Sequence, residues 1–250
     1  MLKKSTLREI KTSLARYLAI FAIVALGVGF FSGLRDCKAT MVSTATRYIN
    51  EHNMFDYQLI STYGIDDESV EMAKQAEGVS GAEGSVQIDV LAESGGGDEA
   101  ALKAISLPEI INTLRVVTGR LPEAADECVV DDYHIDSEGY RTGDTIVLTD
   151  SNDEDTLEQF RSREYKIVGT VNTPVYLDYQ RGSTDIGNGS LETFFFIDRD
   201  SFDTDYYTQL YLTLEGDEQP FTQEKEDRLE AAEDSMKALA EKAAVEAAEE

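Results

Sequence analysis

The run "YLAIFAIVALGVGFFSGL", Tyr17 to Leu34, places eighteen consecutive residues without a charge in a chain that otherwise holds 49 acidic and 22 basic side chains. As a helix rising about 1.5 Å per residue it spans about 27 Å, close to the hydrocarbon thickness of about 30 Å of a bilayer. A secretory signal has a shorter apolar centre, about 7 to 15 residues, and a small-residue cleavage site. The following "RDCKATMVSTA" offers such a site only vaguely, at Ser43 to Ala45. A lipoprotein signal fails too, because "LRD" rather than small residues precedes Cys37. The expectation is a retained membrane anchor over 17–35.

Lysine and arginine near the ends of a span favour the cytoplasmic side. Lys3, Lys4, Arg8, Lys11 and Arg16 precede the run with only Glu9 opposing, and Arg35 and Lys38 follow it. The amino end is therefore expected inside the cell membrane and the bulk outside. Residues 1–38 carry seven basic and two acidic groups, so the rest carries 22 − 7 = 15 basic and 49 − 2 = 47 acidic, a net charge of −32. Such a domain repels nucleic acid and anionic membrane surfaces, and no nucleic-acid partner is expected.

Small residues are distributed unevenly along the run. Ala22, Ala25, Gly29 and Gly33 recur at spacings of three and four, while Ile20, Phe21, Ile23, Val24, Phe30 and Phe31 occupy the other faces. Close helix packing in lipid uses such small faces, which implies further membrane helices as partners. The alternative is that glycine and alanine are simply common in spans. Before the run, Thr6 and Glu9 have capping-box spacing, and Leu7, Ile10 and Leu14 share a face largely away from Lys4, Arg8 and Lys11. This predicts a cytoplasmic amphipathic helix over 1–16 lying on membrane lipid, or simply the positive flank of the anchor.

Beyond the membrane, Met41, Ala45 and Tyr48 keep helical spacing, so a stalk helix is expected over 36–50. In the 51–221 region, "FDYQLIST", "SVQIDVLAE", "AALKAIS", "ECVVDD", "DTIVLTD", "EYKIVGTVN", "TFFFIDR" and "TQLYLTLEG" read as strands. "DDESVEMAKQAEG" reads as a short helix ending before Gly78, and Pro108 in "LPEIINTL" is placed to begin another. Gly95 to Gly97, "SEGYRTGD", "DSNDEDTLEQ" and "RGSTDIGNGSLE" read as turns and loops. Irregular mixing without steady βαβ alternation predicts an α+β class, a mixed α/β extracytoplasmic domain, in one core or two lobes. In 222–250, Leu229, Ala232, Met236, Leu239 and Ala243 make a narrow apolar seam. That helix is expected either to fray at a true terminus or to begin a longer coiled coil.

The amino-terminal "LREIKTSLARYLAIFAIVALGVGFFSGL" resembles the first membrane segment of FtsX-like ABC transporter permeases. The middle is similar to the MacB-like periplasmic core domain. It has a "GR.P" turn at Gly119, Arg120 and Pro122 before "DECVVDD", then "G...GD" at Gly139, Gly143 and Asp144, and then "YKIVGTVNTPVY". The resemblance covers Lys3 to Lys38 and Arg115 to Leu214, with the part between matching by position. It implies a membrane subunit that does no chemistry itself, works as a dimer beside a cytoplasmic ATP-binding subunit, and couples ATP hydrolysis to its outer domain for export or mechanotransmission. The later membrane segments of that family are absent, so a divided product or a fragment of a longer chain is expected. Gly119, Arg120, Pro122, Gly143, Asp144 and Gly169 are read as fold determinants. The glycines suit turns or a close backbone approach, and Asp144 suits capping of a turn.

Competing chemistry finds little support. The chain contains no "GxxxxGK[ST]", "HExxH", "GxSxG" or paired CxxC, so no catalytic residue and no cofactor is expected. His134 stands near Asp131, Asp132 and Asp136, which fits a metal ligand or an ordinary acidic turn, and the turn is taken. The 150–160 loop lacks the glycine and glutamate of a calcium-binding EF-hand. Cys37 and Cys128 are expected to be free. A single-span sensor or adhesion ectodomain, and a hydrolase built around His134, remain the other functional classes.

Overall fold

The computed structural model describes residues 14–93, 97–133 and 140–249. Most of the expected 1–16 helix, with Gly95, Gly96, His134, Asp136 and Gly139, lies outside the described residues. The chain divides into two compact units, one ending at Arg47 and one running from Tyr48. Helix α1, Leu14–Glu51, begins in the first unit, and its last turn belongs to the second. No glycine or proline interrupts it after Gly33, so the expected span and stalk form one element.

The second unit contains two sheets among the described residues. The smaller joins β1 (Tyr57–Ile65), β10 (Tyr207–Leu214) and β2 (Val79–Ser85) in the order β1-β10-β2, antiparallel throughout. Helix α2, Asp67–Lys74, starts where the Asp66 carboxylate accepts the Ser69 N–H at 2.6 Å, and acidic Asp67 and Glu68 occupy its first turn. It buries Val70 and Ala73 against Ile65, Leu210 and Leu212. Helix α4, Gln223–Glu249, adds Met236 and Leu239 to the same core, with Leu229 and Ala232 packed beside them. The apolar seam is thus covered by the domain's own sheet as far as Leu239, which corrects its reading as a coiled-coil face there. Burial inside the chain removes that apolar surface from water without a second helix.

The larger sheet has the order β5-β8-β6-β9-β4-β3-β7. Its strands are β3 (Gln87–Glu93), β4 (Glu99–Ser106), β5 (Arg115–Gly119), β6 (Glu127–Asp131), β7 (Thr145–Leu148), β8 (Glu164–Asn172) and β9 (Thr193–Ile197). A further pairing of β7 with β8, Ile146 opposite Tyr165, closes six of them into a ring. Strand β9 lies between β4, parallel, and β6, antiparallel. Its run "TFFFI" is buried throughout because both faces are covered. Phe195 and Ile197 join Leu102, Cys128, Val130 and Tyr165, while Phe194 and Phe196 join Ile105, Val129 and Val171. Each buried side chain of this size contributes about 1.5–3 kcal/mol by leaving water, so the strand belongs at the centre of the sheet.

Four stretches differ from the sequence reading. "VSGAEGS" forms β2 and "RVVTG" forms β5, although neither alternates as strands do. The acidic loop holds α3, Glu154–Glu158, where the Asp153 carboxylate accepts the Thr156 N–H at 2.7 Å and is held below its ordinary pKa by that bond. It delivers Leu157 and, just beyond, Phe160 to the core, so this stretch is more than solvated surface. "LPEIINTL" is not helical; its Asn112 and Thr113 amides bond to the chain after α1.

Candidate functional site

Among the described residues one helix is long and apolar enough to cross a membrane, and it is α1. Residues 14–44 of it are exposed, including Leu26 at 77 % and Ile23 at 72 %. Ala22, Ala25, Gly29 and Gly33 are all exposed, and a Cβ added at Gly29 or Gly33 would meet nothing within 4 Å.

The other end of α1 is a built joint within the second unit. Asn53 takes a left-handed φ of 47°, the Met54 N–H reaches Ile49 O at 3.1 Å and the Asn53 N–H reaches Asn50 O at 3.4 Å, a Schellman ending with asparagine in place of glycine. The connection between β4 and β5 then clasps the segment that follows. Asn112 N–H donates to Asn53 O and Thr113 N–H to His52 O, both at 3.0 Å, while Asn53 Nδ2 donates to Ile110 O at 2.9 Å. Asn112, 2 % exposed and also left-handed at φ 60°, accepts the Phe55 N–H on Oδ1 at 3.1 Å.

"LPEIINTL" is not a helix because the Asn112 and Thr113 N–H groups, which a helix would turn back on Pro108 O and Glu109 O, go to Asn53 O and His52 O, and Glu83 of β2 holds the turn before them. The two carboxylate oxygens of Glu83 accept the N–H groups of Glu109, Ile110 and Ile111 at 2.6, 2.9 and 2.6 Å, which wraps the connection around one side chain. Next along the chain, Asp56 N–H donates to Leu212 O at 2.7 Å, and the Asp56 carboxylate accepts the Leu214 N–H at 2.8 Å and meets Lys225 Nζ of α4 at 2.6 Å. The Phe55 ring lies 4.9 Å from Tyr211. Within five residues, His52 to Asp56, the chain leaving α1 is bonded to β10, to α4 and to the β4–β5 connection. No periodicity marked this joint; the legible signal was Asn53 at the end of a helical pattern.

The sequence-derived fold residues gather around β8. Gly119 ends β5 at φ 72° opposite Gly169 of β8, and a Cβ on Gly119 would stand 2.1 Å from Val168 O. A Cβ on Gly169 would lie 2.6 Å from both Thr118 O and Arg120 O. Arg120 sends Nη1 and Nη2 to the two oxygens of Glu127 at 2.6 Å each, and this bidentate pair holds the Glu127 carboxyl down at about 2. Pro122 is itself half-buried in the otherwise exposed irregular segment after β5. Gly143, φ 101°, donates to Ile167 O at 2.8 Å, and the Asp144 carboxylate accepts the Arg141 N–H at 2.9 Å to close the turn before β7.

Among the described residues no three His, Cys, Asp or Glu side chains are gathered as a metal site. Both cysteines are free; Cys37 is exposed, and Cys128 is buried with its thiol pushed far up by desolvation.

No family model matches the chain, and no curated protein matches it. Among solved structures, the chain is similar to the extracellular domain of the noncanonic ABC-type transporter YknZ from Gram-positive bacteria. That match has a TM-score of 0.37 and 12 % identity, over 64 % of this chain and 84 % of that one. It is also similar to the periplasmic region of MacB from Actinobacillus actinomycetemcomitans, with a TM-score of 0.37 and 9 % identity, over 69 % of this chain and 74 % of that one.

Proposed function

We propose that the chain is a permease subunit of an FtsX/MacB-type ABC transporter, or its amino-terminal part, with α1 as the element that couples a cytoplasmic ATP-binding partner to the α/β domain. The observation that carries this reading is one uninterrupted helix, Leu14–Glu51. Its apolar part is exposed, and its last turn is built into the domain by the His52–Asp56 joint. A tether has no use for such a joint, whereas an element that transmits displacement needs one. The "GR.P", "G...GD" and "YKIVGTVNTPVY" fragments, in family order after such a span, support the same reading.

In this reading the basic residues before Tyr17 face the cytoplasm and the acidic domain lies outside. The small face of Ala22, Ala25, Gly29 and Gly33 meets other membrane helices, those of a second copy or of further permease segments. The chain itself catalyses nothing; nucleotide chemistry belongs to the partner.

Photo-crosslinking amino acids placed at Lys11 and at Ala25 in the full chain, in its own cells, test the proposal. The expected adducts from Lys11 contain a protein with a "GxxxxGK[ST]" phosphate loop, and those from Ala25 contain a second copy or other membrane spans. Adducts from Lys11 without a nucleotide-binding protein, with none from Ala25, overturn it in favour of a single-span sensor or adhesion protein.

A further inference from the structure

Asn112 of the clasp is bonded on one side of its amide only. Its Oδ1 accepts the Phe55 N–H, which fixes the amide, since a flip would set N–H against N–H. Nδ2 therefore lies on the opposite side, and among the described residues it meets no acceptor although the residue is buried. Buried amide groups are rarely left in that condition. Asn112 lines a cavity of about 20 Å³, where the clasp meets the ends of β2 and β4 and the start of the connection between β8 and β9. One water needs about 10–15 Å³ measured in that way, so the space suffices. Part of the lining is polar: Ser85 and Ser106 from the two strand ends, Thr173 after β8 and Glu83 of β2, the first three buried.

We infer that this cavity binds one ordered water, which ties the clasp around the end of α1 to both sheets. A buried water makes about two to four hydrogen bonds, and the lining offers them in both senses. Asn112 Nδ2 is the first donor. The Ser85 and Ser106 oxygens stand 3.4 Å apart, and Ser106 Oγ also accepts the Val86 N–H at 3.0 Å. Whichever hydroxyl donates within that pair, the hydrogen of the other is left over, and it is the second donor. The water returns its own hydrogens to oxygens with a lone pair to spare. Thr173 Oγ1 takes the Val175 N–H at 3.3 Å and has one left, and Glu83 Oε1 takes a single N–H where Oε2 takes two. An apolar guest leaves Nδ2 unbonded, and a cation meets a donor there.

The test uses the full chain in phosphatidylcholine nanodiscs, isotope-labelled at asparagine nitrogen, and reads magnetic-resonance cross-peaks between water and side-chain amide protons. The Asn112 amide is assigned by its disappearance in Asn112→Gly. A water cross-peak is expected there with opposite signs in laboratory-frame and rotating-frame experiments, the mark of a water that stays bound, whereas proton exchange gives one sign in both. Ser85→Ala leaves the Ser106 hydrogen free to serve the water, so the peak is expected to persist. Ser85→Val fills the cavity with methyl groups and is expected to abolish it, with circular dichroism checking that the variant folds. No cross-peak at Asn112, a peak of the exchange type, or a peak that survives Ser85→Val overturns the inference. So do shifts of the Ile105 and Ile111 methyl signals under xenon pressure in the unaltered chain, because xenon enters dry apolar cavities. None of these readouts depends on transport.

Discussion

At the scale of single residues, the tightest constraint is the facing pair Gly119 and Gly169, where β5 and β8 run so close that a methyl group on either meets backbone oxygen. Backbone cannot step aside as a flexible side chain can. Gly169→Ala is therefore expected to destabilise the domain by about 1–3 kcal/mol or more, read as a lower urea midpoint with an unchanged slope. Gly143→Ala meets no such clash and carries only the strain of its positive φ, so its loss is expected to be smaller. Both glycines were legible as conformationally special in the sequence. That one needs space and the other a dihedral angle was not, because the difference lies in what the neighbouring strand brings near.

At the scale of elements, the joint after α1 depends on Asn112 twice, once for its left-handed backbone and once for the oxygen that accepts the Phe55 N–H. Asn112→Ala removes both and leaves a part-buried donor without its partner, a loss of about 1–3 kcal/mol. Asn112→Gly keeps the backbone freedom and loses only the acceptor, so it is expected to fall between wild type and Asn112→Ala. Native-state hydrogen exchange at Phe55, Asn112 and Thr113 reads this order directly, with protection at the centre of β9 changing least. The pattern at Pro108 pointed to a helix start, but the Asn112 and Thr113 amides that a helix would have turned inward bonded instead to Asn53 O and His52 O, distant in sequence. Helix α4 carries a related lesson. A narrow seam looks the same whether it meets another chain or the chain's own sheet, and only the fold decided for Leu229, Met236 and Leu239.

At the scale of the whole molecule, the proposed orientation makes Cys37 a reporter, since it is exposed just beyond the span while Cys128 is buried. A maleimide unable to cross lipid is expected to label intact cells in a way that Cys37→Ser abolishes, and Cys128 is expected to react only on unfolding. Labelling of Cys37 only after the cells are opened reverses the topology. The sequence by itself determined the long apolar helix, the charge asymmetry and most strands, because an uncharged run of eighteen residues and short β-branched or aromatic runs have few ways to leave water. Only the tertiary structure decided β2 and β5, the ring closure by β7 and β8, the Glu83-bound joint and the cavity beside Asn112. Each of these rests on groups far apart in the chain that meet only after the sheets form, and local patterning carries no record of such meetings.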